Sequence, residues 1–282
     1  VNEITNQVSS NFSIQFWGVR GQIATPGKET VRYGGNTSCL EMKVGGKRLI
    51  FDGGTGLREL GNHLLSQMPV EAHIFFTHCH WDRIQGFPFF IPAFIPGNKF
   101  HIYGSEASNG ATFEQRLRNQ MLGPNFPVPI QVMQSKLEFH NLIIGKTEIL
   151  DQIAIETEFL NYENRSIGYR VNYNEFSVVY ATDTKRNPEL LTKSLINLAQ
   201  QADLLIIDTP DNQEFKSLEK EENFWLNYLE AVNMAQVKQI ILSTHHPDHD
   251  DQRLEELEIE IQKVFPRASL AREKMSLEVK KT

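Results

Sequence analysis

The chain has 282 residues, a formal net charge of −7 and 40% apolar residues, enough for one large α/β domain with a packed core. That acidic balance excludes a non-specific nucleic-acid binder, which needs a basic face to displace counterions from the phosphates. A small anionic substrate or ligand, such as a nucleotide, remains open, because a local positive cluster is enough to hold one.

Residues 1–12 are polar and read as an N-terminal tail, with a single domain expected over 13–282. Strands are predicted at Ser13–Trp17, Cys39–Val44 and Arg48–Asp52, punctuated by the glycine pairs Gly34–Gly35, Gly45–Gly46 and Gly53–Gly54. Leu57–Gln67 reads as a helix and His73–Phe76 as a short apolar strand ending in THCHWD. After the proline- and phenylalanine-rich stretch Phe87–Pro96 come a strand at Phe100–Tyr103, a helix at Thr112–Met121 and an irregular loop at Gly123–Pro129. Leu137–Tyr180 is β-rich, with alternating strands Gly168–Tyr173 and Ser177–Tyr180 joined by a hairpin turn at Asn172–Asn174. Helix and strand then alternate through Pro188–Gln200, Leu204–Asp208, Glu221–Ala235, Gln239–Ser243 and Gln252–Val264. Two β-rich halves, each finishing in helices, predict two packed sheets with helices outside.

Cys39 and Cys79 are the only cysteines, so there is no disulfide framework, which fits a reducing cytoplasm. The polar start lacks the apolar centre of a signal peptide, and no apolar run approaches the roughly 20 residues of a membrane helix. A cytoplasmic protein without membrane attachment is expected.

The chemistry concentrates at strand ends. His78, His80 and Asp82 stand at alternate positions directly after an apolar strand, a spacing that aims three ligand side chains into one cleft. Asp183 closes the strand Val178–Thr182, Asp208 closes Leu204–Ile207, and His245 follows Ile240–Ser243. Layered α/β proteins gather their sites at such ends. His63, His73, His101 and His140 lack ligand spacing and read as structural or exposed.

The ordered set THCHWD, Asp183 and His245 resembles the metallo-β-lactamase superfamily. The segments GVRGQIATPG (Gly18–Gly27), RYGGNTSC (Arg32–Cys39), FDGGTGLRELG (Phe51–Gly61), HWDRIQGFPFF (His80–Phe90), LNYENRSIGYR (Leu160–Arg170) and HHPDHDD (His245–Asp251) resemble its branch related to ribonuclease Z and cyclic-nucleotide phosphodiesterases. The resemblance implies a four-layer αβ/βα sandwich and a divalent metal, zinc first, with manganese or iron as alternatives. It also implies metal ligands His78, His80 and Asp183 at a first subsite and Asp82, Asp183 and His245 at a second. Related proteins are often dimers, so a homodimer is also implied.

Two positions depart from the family pattern. Its motif HxHxDH ends in histidine where this chain has Arg83, and a ligand histidine of the branch is replaced by Tyr162. A guanidinium stays protonated and cannot ligate. The expectation is therefore a reduced, mononuclear site, with Asp82 orienting the nucleophile and Arg83, set between Asp82 and Asp183, clamping a phosphate. Tyr162, His249 and Asn36 are the further substrate-facing candidates. The alternative is a pseudoenzyme, a binding or interaction module that holds no metal.

Overall fold

Alternation along Phe12–Gly18 buries Phe12, Ile14 and Phe16 on one face of a strand, and this face begins the core. The computed structural model describes residues 11–184, 188–210 and 232–280. That first strand, β1, pairs antiparallel with β2 (Cys39–Val44), which turns through Gly45 and Gly46 into β3 (Lys47–Phe51). Both glycines have positive φ, 54° and 77°, as a tight two-residue hairpin requires. From β3 the pairing becomes parallel through β4 (Glu71–Phe75), β5 (Lys99–Gly104) and the edge strand β6 (Lys136–Asn141).

The second sheet runs β7 (Glu148–Leu150), β8 (Ile153–Asn161), β9 (Ser166–Tyr173), β10 (Phe176–Ala181), β11 (Leu204–Asp208), β12 (Ile240–Ser243) and β13 (Ala268–Leu270). A last short strand, β14 (Ser276–Glu278), returns to pair with β1. Phe16, Phe51, Phe75, Tyr169, Val178 and Ile206 are among the side chains packed between the sheets. Outside the first sheet, α1 (Gly56–Leu64) and α3 (Phe113–Gln120) cover a second core with Leu57, Leu60 and Phe113. Outside the second sheet, α4 (Pro188–Ala199) and α5 (Asp251–Val264) cover a third with Leu195, Leu254 and Leu257. Helix, sheet, sheet, helix is the expected four-layer sandwich.

Most differences from the sequence reading are local. β1 begins at Phe12, which is fully buried, so the strand starts one residue earlier than expected. The hairpin loop is Asn174–Glu175, because Tyr173 still pairs with Phe176. α1 gives way to a 3-10 turn at Leu65–Gln67, and THCHWD runs into a single helical turn, α2 (Trp81–Ile84). The expected helix Glu221–Ala235 lies largely outside the described residues, although 232–234 are helical. No helix of the described residues is long and apolar enough to cross a membrane.

The α2 turn is locked against the glycine loop after β3. Gly53 N–H donates to Arg83 O at 2.6 Å and Gly86 N–H donates to Gly53 O at 2.8 Å. A Cβ on Gly86 would lie 1.9 Å from Gly54 O, a backbone atom that cannot swing aside. Gly86→Ala is expected to destabilise the fold by about 3 kcal/mol, read as a lower urea midpoint at unchanged m-value.

Candidate metal centre

Apolar β4 delivers Thr77 and His78 to the cleft floor, and hydrogen-bond arithmetic fixes the His78 tautomer. Asp52, at the end of β3, accepts from Thr77 N–H at 2.8 Å and from Thr77 Oγ1–H at 2.9 Å. Thr77 has a single hydroxyl proton, so its oxygen accepts from His78 Nδ1–H, 2.9 Å away. The Nε2 lone pair of His78 therefore points forward, 3.7 Å from Asp183 Oδ2. Burial, then the charge of Arg83, hold His78 well below the usual imidazole range, so the ring is neutral and ready to ligate.

Asp183 sits where β10 has ended, with a left-handed φ of 56°. Asp208, at the end of β11, makes that conformation possible by accepting from Asp183 N–H at 2.7 Å and Thr184 N–H at 3.3 Å. Asn164 Nδ2 donates to Asp183 Oδ2 at 3.3 Å. Burial and the neighbouring Asp208 push the Asp183 carboxyl up to about 6. His80 completes the cluster, its ring edge-on to His78 with centroids 4.4 Å apart. Donor atoms of His78, His80 and Asp183 all lie within 4.8 Å of one another. Two imidazoles and a carboxylate form the donor set of a catalytic zinc site with room for a further ligand.

Asp82 and His245, expected at a second subsite, fall outside this cluster. Asp82 is buried outside that cluster, and its Oδ2 accepts from Arg83 Nε at 3.1 Å and Gln22 N–H at 3.2 Å. Arg83, 3% exposed, donates from one terminal nitrogen to Asp52 Oδ2 at 2.9 Å, Thr182 Oγ1 at 3.1 Å and Tyr180 OH at 3.2 Å. Its expected place between Asp82 and Asp183 is corrected: Arg83 bridges Asp82 and Asp52 from inside the core. Burial alone would lower it, but Tyr180, Asp82 and Asp52 carry it above its ordinary value.

His245 lies outside the cluster of His78, His80 and Asp183. It is fully buried, with Nδ1 2.8 Å from Thr209 Oγ1 and Nε2 2.8 Å from Ala271 O, so both nitrogens are committed. Burial lowers it to about 3, which keeps the ring neutral. His249 is buried at 1%, and its carbonyl accepts from Arg20 at 2.6 Å. Asn36 is spent on Glu273, its Nδ2 donating at 3.1 Å. Tyr162 is 58% exposed with its ring beside Phe159, and Asn164 is the residue of that loop that bonds Asp183. The sequence reading missed Asp52, Thr77 and Asn164, although FDGG carries the same strand-end acid signal as Asp183 and Asp208.

The model of the beta-lactamase superfamily domain matches residues 47–237, more than half of the chain. The chain belongs to the beta-lactamase superfamily. Ribonuclease Z of Pyrococcus horikoshii is 31% identical over 121 residues, covering 40% of this chain and 38% of that protein, so this match spans about two fifths of the relative. Ribonuclease Z of Prochlorococcus marinus strain MIT 9515 is 22% identical over 87% of this chain and 95% of its own length. Among solved structures, the metallo-beta-lactamase fold protein YhfI from Bacillus subtilis superposes with a TM-score of 0.69 at 16% identity, covering 94% of this chain and 98% of that one. Both of the Pyrococcus and Prochlorococcus relatives carry the name ribonuclease Z, and the fold of the superfamily implies a divalent metal, often zinc.

Two measurements test the centre. Thr77→Val removes the acceptor that fixes His78, and zinc affinity is expected to fall 10–100-fold while the unfolding midpoint shifts much less. Zinc must also displace the proton of Asp183. Affinity is therefore expected to hold above pH 6 and to fall about tenfold per unit below it through this group, in calorimetric titrations across pH 5–8.

Proposed function

We propose that this superfamily member is a hydrolase of small anionic phosphodiesters, nucleotides among them, working with one divalent metal, zinc first, at His78, His80 and Asp183. The observation that carries the reading is the convergence of those three donors within 4.8 Å, with the His78 lone pair already turned inward. The ribonuclease names of the relatives point to phosphodiester chemistry. A divalent ion bound there supplies Lewis acidity, which makes water nucleophilic near neutral pH.

The chain's own residues do the positioning. Thr77 and Asp52 hold His78 by its far nitrogen, and Asp208 holds the backbone of Asp183. Asn164 orients the Asp183 carboxylate. Arg83 contributes as a fixed positive charge behind the cleft, acting on both His78 and Asp183, rather than as a clamp on the substrate. Asp82 is neutralised by Arg83, so its place is in the supporting network. Cys39 and Cys79 are both free thiols, as a reducing cytoplasm would keep them.

A second reading, a catalytically inactive ligand-binding module, is favoured by the closure of the second subsite around Arg83 and His245. The two separate cleanly. Protein loaded with one equivalent of zinc is expected to hydrolyse bis(p-nitrophenyl) phosphate or a cyclic nucleotide. His80→Ala is expected to lose at least 100-fold in kcat, and chelation should abolish turnover. Stoichiometric zinc without metal-stimulated turnover of any such ester supports the inactive module instead.

A further inference from the structure

Two cross-strand rows line the inner face of the first sheet and change character toward its edge. In one, Phe51, Phe75, Tyr103 and His140 pair in register, with Tyr103 stacked on His140 at 4.5 Å. In the other, Leu49, His73, His101 and Glu138 pair in register, with His73 stacked on His101 at 4.5 Å and 7°. Both rows begin apolar at β3 and end in metal-ligating side chains at β6.

We propose that His101, Glu138 and His140 form a second divalent transition-metal site that clamps the edge strand β6 to β5. His101 Nδ1 lies 3.0 Å from Glu138 Oε2 and 3.3 Å from His140 Nε2, and the donor atoms of all three residues fall within 4.8 Å of one another. Ligands held 2.0–2.1 Å from a tetrahedral zinc are separated by roughly 3.3 Å, so little rearrangement is needed. His101 Nε2 is 3.0 Å from Glu71 Oε1, which takes that N–H and leaves the Nδ1 lone pair facing the other donors. This carboxylate–histidine arrangement is the one that orients metal-bound imidazoles. In that tautomer the His101 Nδ1 lone pair and Glu138 Oε2 face each other at 3.0 Å, and a cation entering between them relieves the repulsion.

The ring stacks on His73 and Tyr103 hold both imidazoles in place, and His73 Nδ1 is 3.1 Å from Tyr103 OH. Lys136 Nζ lies 2.6 Å from Glu138 Oε1 and holds the carboxyl down at about 2, leaving it charged. Lys99 Nζ, 3.3 Å from Oε2, is the rival cation; its flexible stem is one-third exposed, so it can turn to solvent as a metal enters. Two imidazoles with one carboxylate suit zinc, copper or nickel, and not the all-oxygen preference of calcium or magnesium. Residues of the His78 centre take no part, so this site stands whether or not that centre is catalytic.

Calorimetric titration of the metal-free full chain with zinc sulfate tests the site. The unaltered protein is expected to take up two equivalents, and the double variant His78→Ala/His80→Ala to keep one. Glu138→Gln/His140→Gln should also keep one, and adding those changes to the His78→Ala/His80→Ala variant should remove the last. Glu71→Ala should weaken the retained equivalent 10–100-fold. Zinc uptake that is unchanged by Glu138→Gln/His140→Gln overturns the proposal, as does no uptake by His78→Ala/His80→Ala, the result expected if His101 instead carries a proton between Glu71 and Glu138. Electron paramagnetic resonance of Cu²⁺ bound to His78→Ala/His80→Ala needs no change at β6, so it guards against misfolding of the β6 variants. Two imidazole nitrogens on copper support the site, and a spectrum without them overturns it.

Discussion

A guanidinium buried between two carboxylates is the constraint around which this cleft is organised. Arg83 comes from the α2 turn on the first sheet's side, and its partners Tyr180 and Thr182 come from β10 and its end in the second sheet. Asp52 receives the Arg83 and Tyr180 donors on one oxygen and Thr77 on the other. One network thus joins both sheets, places a cation against two acids and aims His78. Buried ion pairs contribute little net stability against apolar packing, but removing one partner is costly, typically about 3–5 kcal/mol. The value of this network is that it fixes where the two sheets meet.

Strand ends do the rest through backbone geometry. Asp52, Asp183 and Thr244 all adopt left-handed φ, between 54° and 62°, just beyond β3, β10 and β12. Such conformations are unfavourable for side chains other than glycine and persist only when neighbours enforce them. Asp208 enforces the turn at Asp183 through two backbone amides and also accepts from the Thr244 hydroxyl. A single half-buried carboxylate therefore connects the ends of three adjacent strands, β10, β11 and β12. Burial first and the charge of Asp208 second raise the Asp183 carboxyl to about 6, so the group that positions Asp183 also adds to its shift.

The layered fold was legible because β1, β2, β9 and the helices carry clear periodicity and turn residues. β13 and β14 were not, since three-residue strands hold too little alternation to register. His78, His80 and Asp183 could be found from strand-end spacing. Arg83 could be singled out but not placed, because sequence shows a cation where the resembled motif has histidine and not which carboxylate it turns toward. His245 matched the family order, yet its nitrogens are taken by Thr209 and Ala271, partners that no local pattern reveals. His101 and His140 read as structural because they are 39 residues apart in sequence, and only the parallel pairing of β5 with β6 brings them together.

Substitution of the motif's last histidine by arginine also has an evolutionary reading. Because Arg83 is the counterion of both Asp52 and Asp82, its position is not free to change alone. A smaller, neutral imidazole there would strand two buried acids before any second metal could be recruited. His245 would in turn have to give up Thr209 and Ala271 to serve that metal. Any change at Arg83 is therefore coupled to both acids and, for a metal beside His245, to the Thr209 and Ala271 contacts as well.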